Sequence, residues 1–154
     1  MKLTHYDLYS AAHAGVLRRI SAIVRQRQEQ HGTPTTDLWG VDIEACIAEM
    51  LVSLTVNASW RPFLAVPGEI QADVGSSIQV RHTKHDHGCL IVYDHDRDEQ
   101  QFVLVTGLGL EQKIVGWIHG VDAKKPEHWK ASARCPAFFV SQEFLRPIEE
   151  LANV

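Results

Sequence analysis

One short stretch of this chain combines acidic, amide and basic side chains at spacings that could support chemistry. Asp73 precedes a glycine-containing turn, and Gln79, Val80 and Arg81 follow it in a segment that includes β-branched residues. Because residues two apart share one face of a strand, Gln79 and Arg81 are predicted to point the same way. Hard oxygen donors of this kind suit Mg²⁺, and a neighbouring cation can balance the charge of a bound phosphate.

A further candidate, Glu49, lies upstream in a helix predicted over residues 41–57. Apolar residues form the main stripe of this helix, and smaller apolar residues surround Glu49 on its other side. The main stripe consists of Ile43, Ile47, Met50, Leu51 and Leu54. A carboxylate is rarely buried without a partner, so Glu49 is either a functional group or a side chain at a solvent seam. Glu44 is a second acidic candidate on the same helix.

Together these residues resemble the centre of the PD-(D/E)xK nuclease family, over roughly residues 41–106. The resemblance implies a restriction-endonuclease-like core with a metal site for Mg²⁺ or Mn²⁺. It implies that Asp73, Gln79 and the carbonyl of Val80 hold the metal. Arg81 then stands where the family has its lysine, and Glu49 supports the centre. The sequences Asp-Val-Gly and Gln-Val-Arg-His-Thr also resemble those of small phage-encoded proteins of this class.

Two of the four side chains depart from the family pattern. Gln79 offers an oxygen but no charge, so a metal is expected to bind more weakly. Arg81 stays protonated and cannot act as a base, although it can still bind phosphate. Two functions remain open: a metal-dependent DNA nuclease with a weakened centre, or a catalytically inactive nuclease-fold protein. The inactive form would bind DNA, or a host or phage protein.

A second group of potential metal ligands is a loop rich in histidine, with His82, His85, His87 and His95. Imidazoles can bind Zn²⁺, Ni²⁺ or Cu²⁺, and they titrate near neutral pH. The spacing matches no zinc-finger or His-Glu-x-x-His pattern. We therefore expect a polar loop whose histidines do not share one metal, with metal sequestration or pH sensing as the alternative.

The elements around these residues are predicted from periodicity. A helix over residues 6–30 begins at a capping box of Thr4 and Asp7, and its apolar residues fall near one face. That face carries Tyr6, Tyr9, Val16, Ile20, Ile23 and Val24. Its arginines, Arg18, Arg19, Arg25 and Arg27, are expected on solvated faces. Strands are predicted over residues 64–66, 77–83, 89–93, 102–106, 113–119 and 137–140.

The predicted order is helix, helix, strands and a final helix over residues 141–151, which Pro147 limits or kinks. This order indicates an α+β fold with a central mixed, mostly antiparallel sheet flanked by helices. Residues 94–99 are expected to form a hairpin loop. All 154 residues fit one nuclease-like domain.

Charge and cysteine content limit the remaining possibilities. The net charge of −4 gives no broad basic footprint, so any DNA contact is expected to be local. Cys46, Cys89 and Cys135 are odd in number and widely spaced, which favours a reducing cytoplasm over a disulfide framework. No apolar run is long enough to cross a bilayer, so a membrane partner is not expected, and the oligomeric state is open.

Overall fold

A computed structural model describes residues 2–25, 37–62 and 72–151. Within these ranges the helices are α1 (His5–Val24), α2 (Leu38–Val56), α3 (Gly120–Ala123) and α4 (Ile148–Leu151). The strands are β1 (Ile78–Thr83), β2 (Leu90–Val92), β3 (Gln101–Thr106), β4 (Lys113–His119), β5 (Trp129–Lys130) and β6 (Ala137–Val140). The α+β class predicted from the sequence is confirmed.

The start of α1 is the capping box that the sequence predicts. The backbone N–H of Asp7 donates to the Thr4 hydroxyl at 3.2 Å, and the Thr4 N–H donates to the Asp7 carboxylate at 2.7 Å. These two bonds satisfy backbone donors that the first turn of a helix leaves without partners. The Thr4 hydroxyl also donates to the Asp7 carboxylate, at 2.6 Å, and this bond, together with that from the Thr4 N–H, lowers the pKa of Asp7 because both favour the ionised form.

The helices α1 and α2 pack so closely that one glycine is required between them. A Cβ added at Gly15 would lie 2.5 Å from the Cα of Ile43, closer than real Cβ atoms come. The packed side of α1 contains Ala11, Gly15 and Arg19, which are its buried residues. The apolar face identified from the sequence points largely to solvent instead, since small residues let the two backbones approach on the opposite side.

The strands form two three-stranded sheets, where the sequence predicted one central sheet. The first has the order β1-β3-β4, with β1 parallel and β4 antiparallel to β3. The second has the order β2-β6-β5 and is antiparallel. Three of the four pairings are antiparallel, as predicted. The hairpin expected at residues 94–99 is wrong, because β2 and β3, which this loop connects, belong to different sheets.

Strand β3 lies at the centre of the core and is buried from Phe102 to Thr106. One of its faces packs through Val103 and Val105 against α2. The other packs through Phe102 and Leu104 against the second sheet. The molecule therefore has three layers: the helices, the first sheet and the second sheet. Because β3 is buried on both faces, its sequence is a nearly continuous apolar run.

The remaining differences concern the ends of elements. Residues 26–30, predicted as helix, and the strand predicted over residues 64–66 lie outside the described residues. The continuous helix predicted over residues 141–151 is wrong: a 3₁₀ turn, Gln142–Phe144, and α4 replace it. Pro147 directly precedes α4. A proline lacks the backbone N–H that a helix interior needs, so it is tolerated at the start of a helix and not within one. None of the helices in the described ranges is long and apolar enough to cross a membrane.

Candidate functional site

Glu49 is buried on α2 and is fully engaged by two other residues. Its two carboxylate oxygens accept from Arg18 on α1 at 2.8 and 2.9 Å, and the Trp60 indole N–H donates to it at 3.1 Å. Burial by itself would lower the pKa of Arg18, but the hydrogen bonds and charge of Glu49 outweigh burial and raise it. Glu49 therefore acts on its surroundings through its charge and its fixed position.

The backbone around Asp73 joins the Trp60 segment to the edge of the first sheet. Val74 bridges Trp60 on one side and Ile78 on the other, in antiparallel fashion. The Arg61 N–H donates to the Asp73 carbonyl at 3.0 Å, and the Asp73 N–H donates to the Ile78 carbonyl at 3.0 Å. These bonds hold Asp73 beside the outer edge of β1.

The carboxylate of Asp73 accepts the backbone N–H of Val80 at 2.8 Å. The carbonyls of Ser77 and Thr83, which flank this part of β1, face β3. Because backbone groups alternate between the two edges of a strand, the N–H and C=O of Val80 both belong to the outer edge. A backbone carbonyl and the Asp73 carboxylate thus lie at the same outer edge of β1.

Asp73 is an acid in an environment that opposes its ionisation. Burial is the main cause and the charge of Glu49 the next, and together they raise the pKa of Asp73 to about 7. The Val80 hydrogen bond and the charges of Arg81 and Arg18 act in the opposite direction without cancelling the rise. The carboxyl of Asp73 is therefore coupled to groups on both sides of the sheet.

Arg81 is held on the face of β1 that looks toward the second sheet. Its Nε donates to the Ile91 carbonyl at 3.1 Å, and its Nη2 donates to Asp96 at 2.8 Å. Its guanidinium lies 5.2 Å from the ring centroid of Phe102. Gln79 is two residues away on the same strand, so it lies on this same face, as the sequence predicts.

The predicted residues are arranged around one strand edge, with Asp73 between two groups. Glu49 approaches from the α2 side, whereas Gln79 and Arg81 lie on the opposite face of the first sheet. Asp73 is the member whose pKa is affected by the charges of both Glu49 and Arg81. Among the described residues, no group of three or more His, Cys, Asp or Glu side chains is placed to hold a metal ion. Side chains alone therefore do not complete a ligand set here.

The metal ligands that the resemblance implies are all hard oxygen donors. Asp73 supplies a carboxylate, Val80 a carbonyl at the same edge, and Gln79 an amide oxygen, all of the chemical type that Mg²⁺ and Mn²⁺ accept. Glu49 does not belong to this set, because Arg18 occupies both of its oxygens.

The histidines of the second candidate group are spread over several environments. The Nε2 of His82 lies 2.8 Å from the Gly107 carbonyl, and His95 stacks on Tyr93 with ring centroids 5.5 Å apart. His85 and His87 are exposed. Each histidine therefore has a local setting of its own, and the alternative of metal sequestration or pH sensing stays a prediction.

Sequence reasoning missed three residues that shape this site: Arg18, Trp60 and Asp96. The expectation that the arginines of α1 are solvated is wrong for two of them. Arg18 is partly buried against Glu49, and Arg19 is buried against Asp42 at 2.6 Å. A usable signal was the unpaired carboxylate on α2, since a buried acid requires a basic partner.

The chain was compared with protein-family models, curated proteins and solved structures. No protein-family model, curated protein or solved structure matches the chain. The likeness to a nuclease centre therefore rests on Glu49, Asp73 and the Gln79-Val80-Arg81 segment themselves.

Proposed function

We propose that this chain is a nuclease-fold protein that hydrolyses phosphodiester bonds of DNA with Mg²⁺ or Mn²⁺, at a centre built on Asp73. The supporting observation is the Asp73 carboxylate beside the Val80 backbone at the outer edge of β1, 2.8 Å from the Val80 nitrogen. Glu49 and Arg81 influence the same carboxyl from opposite faces of the sheet. An acid whose pKa is raised by burial and by a neighbouring acid is typical of functional sites.

The charge balance around Asp73 favours an added cation. Three carboxylates, of Glu49, Asp73 and Asp96, face two guanidiniums, of Arg18 and Arg81. With all five ionised the sum is −3 plus +2, or −1. A divalent ion would relieve the burial of the Asp73 charge and leave a net charge of +1, which attracts a phosphate.

The residues that would hold the metal are Asp73, Gln79 and Val80 through its carbonyl. When bound, the ion supplies activation of water and stabilisation of charge on the reacting phosphate. Arg81, which Asp96 holds in place, would bind a phosphate oxygen of the DNA. Glu49 favours cation binding through its negative charge, and its own contacts with Arg18 keep that charge in position.

The same residues predict a slow enzyme. Gln79 brings no charge to the metal, so the ion is held less tightly than by two acids. Arg81 cannot take a proton from water, because its guanidinium stays protonated near neutral pH. Mn²⁺, which accepts less ideal ligands than Mg²⁺, should therefore support more activity.

The test is cleavage of labelled DNA in Mg²⁺ and in Mn²⁺ by the natural chain and by Asp73→Asn. Asp86→Asn is the matched control, because Asp86 is an exposed acid whose side chain pairs with exposed Lys113. We expect Asp73→Asn to lose activity by about 100-fold or more and Asp86→Asn to keep it. Efficient cutting that survives the loss of the Asp73 carboxylate would place the centre elsewhere.

The second candidate function is a catalytically inactive nuclease-fold protein that binds DNA, or a host or phage protein. It is favoured by the ion pairs that already engage the charged groups of the site: Arg18 with Glu49, and Asp96 with Arg81. Calorimetric titration with Mn²⁺ separates the two functions, since an inactive form needs no metal. DNA binding that persists in EDTA, without cleavage in Mn²⁺, would support the inactive form.

We place either function in the cytoplasm. Cys46, Cys89 and Cys135 are thiols, and burial raises the pKa of Cys46 to about 12, which marks it as a packed rather than reactive group. Thiols that persist without a disulfide fit a reducing compartment.

A further inference from the structure

The outer face of α1 carries a row of large apolar side chains that no described element covers. We call this row the outer stripe; His13 lies in its middle. Its apolar members are between 44% and 86% exposed. They are Tyr6, Tyr9, Leu17, Ile20 and Val24. Single exposed apolar residues are ordinary on a protein surface, but a contiguous row of them is typical of an interaction site.

The spacing of the outer stripe makes it straight. From Tyr6 to Val24, its six positions follow in steps of three, four, four, three and four residues. The mean step of 3.6 residues equals the period of an α-helix, so the stripe follows the helix axis without winding around it. It lies on the side opposite Ala11, Gly15 and Arg19, which pack on α2. Packing among the described residues therefore leaves the stripe available.

The size of the outer stripe matches a pair of helices. A helix of 20 residues is about 30 Å long, which leaves room for a partner of the same length. Five large side chains from each of two such helices expose on the order of 1,000 Å² of apolar surface. That area reaches the lower limit for a specific protein–protein interface.

We propose that the outer stripe is a homodimer interface in which α1 of one copy packs antiparallel to α1 of a second copy. The straight course of the outer stripe and the apolar area of two copies support this occupant. In an antiparallel pair related by a two-fold axis, the N-terminal half of one stripe faces the C-terminal half of the partner subunit's stripe.

The side chains of the outer stripe also complement one another in this direction. The antiparallel pair sets Tyr6 opposite Val24 of the partner subunit and Tyr9 opposite Ile20 of the partner subunit. A large ring then meets a smaller aliphatic group at each end, while the two helix dipoles oppose. A parallel pair would instead stack Tyr6 on its own copy and align the two helix dipoles unfavourably.

The test of the interface is the sedimentation coefficient of the full chain over a range of concentrations. We expect a dimer of twice 17.3 kDa, and Val24→Glu should weaken it by about 100-fold or more, because a carboxylate would be buried against apolar groups. Val121→Glu is the matched control: Val121 is also an exposed valine, 61% against 76%, on α3. A natural chain that is monomeric at about 100 μM, or a dimer insensitive to Val24→Glu, would overturn the proposal.

The direction of the pair is tested by disulfide crosslinking of the full chain. The double variant Tyr6→Cys with Val24→Cys should form a covalent dimer under mild oxidation, whereas each single variant should not. The natural chain, with its own three thiols, gives the background. A covalent dimer from Tyr6→Cys alone would overturn the antiparallel arrangement, since only a parallel pair brings two copies of that position together.

Discussion

Arg18 and Glu49 form an ion pair in which two nitrogens of the guanidinium each donate to one carboxylate oxygen, at 2.8 and 2.9 Å. The pair crosses from α1 to α2, so it joins the two helices. The two members of the pair act on Asp73 in opposite directions, since the charge of Glu49 raises the pKa of Asp73 and the charge of Arg18 lowers it. Stability and the chemistry of the candidate site therefore depend on the same contact.

We expect Arg18→Met to lower the free energy of unfolding by about 3 kcal/mol or more, since it leaves the buried carboxylate of Glu49 without its cation. Urea denaturation in metal-free buffer measures the change. The double variant Arg18→Met with Glu49→Leu should recover a large part of the loss, because apolar side chains of similar size can replace a buried ion pair. A loss below about 1 kcal/mol for Arg18→Met would show that solvent, not Arg18, satisfies Glu49.

The close approach of α1 and α2 gives a second expectation. Gly15→Ala should lower the free energy of unfolding by about 1–3 kcal/mol, because the added Cβ meets the backbone of Ile43, which cannot rotate away. Ser10→Ala, at an exposed position of the same helix, is the control and should change it by less than about 0.5 kcal/mol. A stabilising effect of Gly15→Ala would mean that the helices separate freely.

The secondary structure could be predicted where local pattern and tertiary packing agree. The capping box of Thr4 and Asp7 and the strand Lys113–His119 follow directly from residue type. The division into two sheets could not be predicted, because β2 pairs with β6, nearly fifty residues away, and nothing local specifies that choice. Nor could the sequence predict which side of α1 packs on α2, because the closest contact between the helices is made at Gly15 and not by the apolar row.

The sequence predicted which residues form the candidate site better than it predicted the contacts that they make. Gln79 and Arg81 share a face because a strand alternates. The sequence does not reveal that Asp73 binds the Val80 N–H, since that bond depends on how the preceding turn folds against the edge of β1. Nor does it reveal the pairing of Arg81 with Asp96, which requires the second sheet to pack on the first.

The raised pKa of Asp73 predicts a pH dependence of stability in metal-free buffer. The folded state holds the proton up to about pH 7, whereas an unfolded aspartate releases it near its ordinary pKa of about 3.9. The contribution to stability is therefore present at about pH 4 and is lost as the pH rises through 7, to an upper limit of about 4 kcal/mol. Asp73→Asn, which keeps an acceptor for Val80, should remove this slope in urea titrations; parallel curves would contradict it.

Restoring the family's acid and amine should strengthen the metal centre. We expect Gln79→Glu to tighten Mn²⁺ binding by about tenfold or more, measured by calorimetry, because a second carboxylate joins Asp73 around the ion. Adding Arg81→Lys should raise the rate of DNA cleavage further, since a lysine amine can be tuned toward proton transfer whereas a guanidinium cannot. Arg81→Lys also gives up donors to Ile91 and Asp96, so a modest loss of stability should accompany the gain.

The decisive control for this restoration is its dependence on Asp73. If the metal lies at the edge of β1, Asp73→Asn in the restored background should abolish both the tighter Mn²⁺ binding and the added cleavage. The ion would then lose the carboxylate that the Val80 N–H positions at 2.8 Å. A gain that persists without Asp73 would mean that Glu at position 79 recruits metal on the face of the second sheet, near Asp96. In that case the catalytic centre, and not merely its strength, would differ from the one proposed.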